Sequence, residues 1–195
     1  MIIGIDFDNT IIKYDELFHK ISLERNLIPS KLIKDKNTIR NYLREHDKEH
    51  EWTLIQGEVY GERIEEAMPF PGMKKTILEL KSMNIPLKII SHKTKFPYLG
   101  PKRDLHKAAL KWLSNNEFFS SKLNFKKKDV FFETTKEKKV ERIISVGCTH
   151  YIDDLPEILK MIPSAIKRIN FSQVKNSSED NFIMISKWNQ LLEII

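Results

Sequence analysis

The chain has 195 residues, 41% hydrophobic and 10% aromatic, which is enough for one packed domain with a modest insertion and excludes a disordered chain. No apolar run reaches the roughly 18 residues of a helical membrane span, and a single cysteine, Cys148, excludes an internal disulfide and fits a reducing, cytoplasmic setting. The net charge of +6 favours anionic partners, phosphorylated metabolites as much as nucleic acid.

The first predicted strand, "IIGIDF" (2–7), starts so early that no secretory leader is expected. It runs into Asp8, so two carboxylates, Asp6 and Asp8, stand two residues apart and on one side of an extended strand. Crowding them costs about one to a few kcal/mol at a partly exposed site unless a cation gathers them. Residues 13–69 then carry three helical patterns, "DELFHKISLERNL", "KNTIRNYLREH" and "EVYGERIEEAM", with no strand between them. The run "MPFPG" (68–72) closes this section as a hinge. Within it "HDKEH" (46–50) matches a zinc-protease spacing. It lies in a strongly charged stretch with no third ligand and reads as a solvated helix or loop.

Beyond the hinge, helices and strands alternate. The helix "GMKKTILELKSM" precedes the strand "PLKIIS" (86–91); "DLHKAALKWL" precedes "VFF" (130–132); "KEKKVERII" precedes "HYID" (150–153); "PEILKMI" precedes "AIKRINF" (165–171). "FIMI" (182–185) is a sixth candidate strand. The basic run "FKKKD" (125–129) has one adjacent aromatic and no repeat, so it reads as a solvated loop and no specific nucleic-acid partner is expected. "NSS" (176–178) matches a glycosylation acceptor, which has no meaning in a cytoplasmic protein. Cys148, without charged neighbours, reads as a small packing residue.

Such alternation predicts an α/β fold, a mostly parallel sheet covered on both faces, with ligands at the carboxyl ends of its strands. Asp6, Asp8, Ser91 and Asp153–Asp154 all fall at or just after strand ends, hence along one edge. The predicted division is a core of residues 1–12 and 70–195 with a helical cap over 13–69.

"DFDNT", Ser91, the lysines of "TTKEKK" and the acids of "YIDD" follow one another in an order that resembles the haloacid dehalogenase superfamily. The resemblance covers residues 1 to about 171 and implies a Rossmann-like three-layer core, with the insertion where the family's helical caps fall. It implies Asp6 as the nucleophile and as a ligand of Mg²⁺, and Asp8 as the proton donor and acceptor that also meets the metal through its backbone carbonyl. Thr10 would hold this arrangement by hydrogen bonding, and Ser91 would bind a phosphoryl oxygen. His92, Lys93 and Lys95 follow closely enough to reach an anionic substrate.

A lysine must balance the acids. Lys136 is the choice, with Lys138 and Lys139 competing in the same run. Asp154 is placed like the family's metal ligand. Asp153 would orient the lysine or a water on the metal, and one acid of the pair could also cap the following helix. Members that dehalogenate lack the second aspartate, so Asp8 favours a phosphate ester. The expected function is Mg²⁺-dependent hydrolysis of a small phosphorylated metabolite such as a sugar phosphate. A nucleotidase, a nucleic-acid-end phosphatase and a phosphotransferase are alternatives, and a non-catalytic binding protein is the last of them.

Overall fold

In the computed structural model, which describes residues 1–172 and 182–195, the chain opens with β1 (Ile3–Ile5) and β2 (Ile12–Lys13). Three helices follow, α1 (Asp15–Glu24), α2 (Lys36–Glu45) and α3 (Glu49–Gly57), and then the short β3 (Met68–Pro69). The alternating part comprises α4 (Met73–Ser82), β4 (Leu87–His92), α5 (Leu105–Asn115), β5 (Val130–Glu133) and α6 (Lys136–Ser145). It ends with β6 (His150–Asp153), α7 (Pro156–Met161), β7 (Lys167–Phe171) and β8 (Ile183–Ile185). Six strands form one sheet in the order β5-β4-β1-β6-β7-β8, and every pairing is parallel. All six predicted strands are present, including the one in "FIMI". The "NSS" run lies outside the described residues. Among the described residues no helix is long and apolar enough to cross a membrane.

β1 is central because it has a parallel partner on each side: Ile3 is opposite both Leu87 and His150, and Ile5 opposite both Ile89 and Ile152. A strand covered on both faces must be apolar throughout, and Ile3, Ile5 and the following Phe7 are fully buried. Gly4 is needed for a different reason. A Cβ there would stand 2.6 Å from Tyr151 Cδ2 and 2.9 Å from Cys148 Sγ. The bare strand lets Tyr151 lie flat against it and donate its hydroxyl to the Ile90 carbonyl at 2.5 Å. Cys148 is buried there with Ile143, Ile158 and Leu159, and burial pushes its thiol up to about 11, so it packs rather than reacts. Gly4→Ala should therefore lower stability by about 1–3 kcal/mol, as overpacking does. Urea unfolding would check this, and an unchanged midpoint would mean that the Tyr151 ring can move aside.

The described chain divides into two compact units. The first holds Met1–Ile12, Pro69–Lys93 and Ser114–Ile195; the second holds Lys13–Met68 with Thr94–Leu113. Strand–helix alternation alone assigns α5 to the sheet-bearing unit, yet most of that helix belongs to the second. Its Trp112 indole donates to the Ala67 carbonyl at 2.8 Å, and Leu105 packs so closely that a Cβ on Gly61 would meet its Cδ2 at 3.1 Å. The same unit is centred on an aromatic cluster in which Phe18 stacks on Trp52 (4.8 Å) and Tyr14 meets Tyr60 edge-on (5.0 Å).

The charged stretch of the insertion is helical over α3, whose Trp52 and Ile55 turn inward. His46 caps the end of α2 and stacks on Tyr42, while His50 lies in α3 beyond a turn at Asp47 with φ +57°. The two histidines thus sit on different helices, and "HDKEH" does not make the single helical face that a zinc motif needs.

Candidate active site

Parallel pairing brings the carboxyl ends of β1, β4 and β6 side by side, and each ends in a polar residue where its apolar run stops. Asp6 follows β1, Ser91 is the last but one residue of β4, and Asp153 ends β6. All three side chains are buried, and Asp153 is completely so. Ser91 Oγ donates to Asp6 Oδ1 at 2.8 Å, and Lys139 Nζ donates to the same oxygen at 2.6 Å. The second Asp6 oxygen accepts no hydrogen bond from the described residues. One oxygen of this carboxylate is pinned and the other is available for chemistry.

Lys139 also donates to Asp153 Oδ2 at 2.6 Å. The lysine that meets the acids is therefore Lys139 and not Lys136, which pairs with Glu157 at 2.9 Å with its side chain 39% exposed. The physical reason is position along the helix. α6 starts at Lys136, capped by Thr135 accepting from Lys138 N–H, and buries Lys139 and Ile143, one turn apart. Lys136 falls on the same side of the helix but at its first position, where its side chain stays partly exposed and pairs with Glu157.

Asp153 uses both oxygens, Oδ2 for Lys139 and Oδ1 for the Leu155 N–H at 3.0 Å, and so also shapes the entry to α7. Asn170, on β7, donates to the carbonyls of Asp153 (3.2 Å) and Asp154 (3.3 Å) and fixes the loop that carries Asp154. Asp6, Asp153 and Asp154 can each offer a carboxylate oxygen, and these oxygens lie within 4.8 Å of one another. Such hard oxygen donors could hold a metal ion.

Asp8 is held separately. The chain turns after Phe7, with Asn9 at φ +57° and the N–H groups of Ile11 and Ile12 both donating to the Phe7 carbonyl. Lys93 Nζ then reaches both oxygens of Asp8, each at 2.9 Å. Thr10 is fully buried; its carbonyl accepts from the Trp188 indole at 3.1 Å, while its hydroxyl has no partner among the described residues. The hydrogen bonding expected of the Thr10 side chain is thus not made to any described residue. His92 donates Nε2–H to the Thr134 carbonyl at 3.2 Å, and Lys95 belongs to the second unit.

Burial pushes the Asp6 carboxyl up to about 7; Lys139 pulls against this, and the Asp153 and Asp8 carboxylates add to the push. Burial alone would depress the Lys139 ammonium, but Asp153 and Asp6 outweigh it and hold that group above the ordinary lysine range. Asp6, Asp8, Asp153 and Asp154 face two ammoniums, Lys93 and Lys139. Fully ionised, they leave two negative charges in excess, the charge of one divalent cation. The Lys93–Asp8 pair and Asn170 escape sequence reading, although Lys93 lies two residues beyond Ser91, on the same side of an extended chain.

No family model and no curated protein matches the chain. Solved structures do. A dehalogenase superimposes with a TM-score of 0.59 at 12% identity, covering 100% of this chain and 96% of its own. A HAD-superfamily hydrolase from Ehrlichia chaffeensis gives 0.58 at 12% identity, covering 99% and 94%. A predicted phosphoglycolate phosphatase from Haemophilus somnus gives 0.58 at 13% identity, covering 99% and 96%. The fold is the haloacid dehalogenase fold, a parallel α/β sheet flanked by helices.

Proposed function

We propose that this chain is a Mg²⁺-dependent phosphatase acting on a small phosphorylated metabolite through an aspartyl-phosphate intermediate. One observation carries the reading: Lys139 lies between Asp6 and Asp153, Ser91 shares the same Asp6 oxygen, and Asp8 is retained two residues on. A dehalogenating site has no use for a second aspartate, because a halide leaves without a proton. An alkoxide leaving from phosphorus needs one.

In this reading an Asp6 carboxylate oxygen attacks phosphorus, the bond from phosphorus to the leaving oxygen breaks, and Asp8 gives its proton to that oxygen. Water then attacks the phosphorus of the aspartyl phosphate, and Asp8 takes a proton from it. Inorganic phosphate departs and the Asp6 carboxylate is restored. Lys139 balances negative charge throughout, and Ser91 turns from Asp6 to a phosphoryl oxygen. Asp6 and Asp154, with the Asp8 carbonyl, would hold Mg²⁺, which when bound offsets charge on the carboxylates and phosphoryl oxygens. The net charge of +6 supports an anionic substrate.

Phosphate release from an aryl phosphate should require Mg²⁺, stop on chelation, and be poorly supported by Ca²⁺, whose looser coordination misplaces the nucleophile. Full turnover in excess chelator would overturn the reading.

A further inference from the structure

The Lys93 ammonium lies behind Asp8, not in front of it. Its side chain is 3% exposed, against 21% for Asp8, and both Asp8 oxygens lie 2.9 Å from Nζ. The cation is held in place from several sides. The Lys93 N–H donates to the Glu133 carbonyl at 2.8 Å, which carries the order of β4 one residue past its end. Nζ stands 5.5 Å from the centre of the Phe7 ring, itself buried and set edge-on to Phe132 at 5.7 Å. A lysine so enclosed cannot extend to an incoming anion as an exposed loop residue would. Its ammonium points to the carboxylate.

We propose that Lys93 is the positioning residue for Asp8, fixing its carboxylate from the buried side in the one orientation that proton transfer requires. This rests on the reading of Asp8 as the acid–base group. Asp8 has to serve two steps, first giving a proton to the leaving oxygen and then taking one from water. A side chain at a chain turn would otherwise sample several rotamers, and a misplacement of about 1 Å costs on the order of 10²-fold in rate. Two hydrogen bonds from one ammonium to both oxygens remove that freedom.

The test uses Lys93→Met, Asp8→Asn and the double variant on phenyl phosphate and 4-nitrophenyl phosphate with Mg²⁺, comparing kcat/KM. That quantity runs through loss of the leaving group, and nitrophenolate needs little protonation. Lys93→Met should lower kcat/KM about 100-fold on phenyl phosphate and less than about tenfold on 4-nitrophenyl phosphate. Added to Asp8→Asn it should cause no further loss, as expected for two residues acting as one unit. Equal losses on both substrates, or full additivity, would overturn the proposal and make Lys93 a phosphoryl-binding group. Thermal unfolding of the same proteins without metal reads the pair independently of turnover. The two substitutions should be non-additive in Tm, and additive shifts would again overturn the proposal. Absence of wild-type turnover together with coupled unfolding would sink the phosphatase reading and leave Lys93 as the residue that holds Asp8.

Discussion

Lys139→Met is expected to abolish phosphate release and to lower stability by about 3–5 kcal/mol, the cost of leaving buried charge without its partner. Asp6 and Asp153 are 3% and 0% exposed, and both accept from this one ammonium. Removing it sets two carboxylates against each other where water cannot screen them. Lys136→Met, three residues away, should change stability by less than about 0.5 kcal/mol, because its partner Glu157 is exposed and such pairs contribute little. Its turnover should stay within a few fold. Urea unfolding and phosphate release on the two variants read both effects. A Lys139→Met protein as stable and active as its parent would remove the ion triad from the account.

Asp6→Asn should act in opposite directions on activity and on the stability of the metal-free protein. The variant has no attacking carboxylate, so turnover is lost. The folded Asp6 carboxyl is raised from 3.8 to about 7, so the folded state holds its proton more tightly than the unfolded chain. That contribution to stability is complete below about pH 4 and is lost as pH rises through 7. Asn has nothing to ionise and does not suffer the loss. Without metal the variant should melt above the wild type at pH 8, by an amount corresponding to a few kcal/mol, with the difference shrinking towards pH 4. Mg²⁺ should narrow or reverse the gap at pH 8 by stabilising only the protein with the intact carboxylate. A wild type that melts higher than the variant at pH 8 without metal would contradict this, since Lys139 would then outweigh burial.

Much of this site can be read from the sequence because a parallel sheet makes position along the chain meaningful. Asp6, Ser91 and Asp153 each interrupt an apolar run at its carboxyl end, and such ends share one edge. The lysine is harder, since "KEKK" puts three candidates in one helical turn. Counting back from the inward Ile143 excludes Lys138 but keeps both Lys139 and Lys136, four and seven residues earlier. The choice between those two is made only by the folded contacts, in which Lys139 meets Asp6 and Asp153 while Lys136 meets Glu157. The Lys93–Asp8 pair joins residues 85 apart and has no periodic signature. The charged flank "REHDKEH" hides α3, whose inward face is only Trp52 and Ile55. Placing residues 94–113 with the inserted helices depends on contacts such as Trp112 to Ala67, which strand–helix alternation does not encode.

The central claim is that Asp6 becomes covalently phosphorylated while Asp8 only moves protons. Asp8→Asn keeps the nucleophile and loses the group that activates water, so with a good leaving group it should phosphorylate faster than it hydrolyses. Intact-mass measurement after mixing with 4-nitrophenyl phosphate and Mg²⁺ should find one added phosphoryl group on Asp8→Asn and none on Asp6→Asn. A phosphoryl group on Asp6→Asn and none on Asp8→Asn would contradict the account and exchange the roles of the two aspartates.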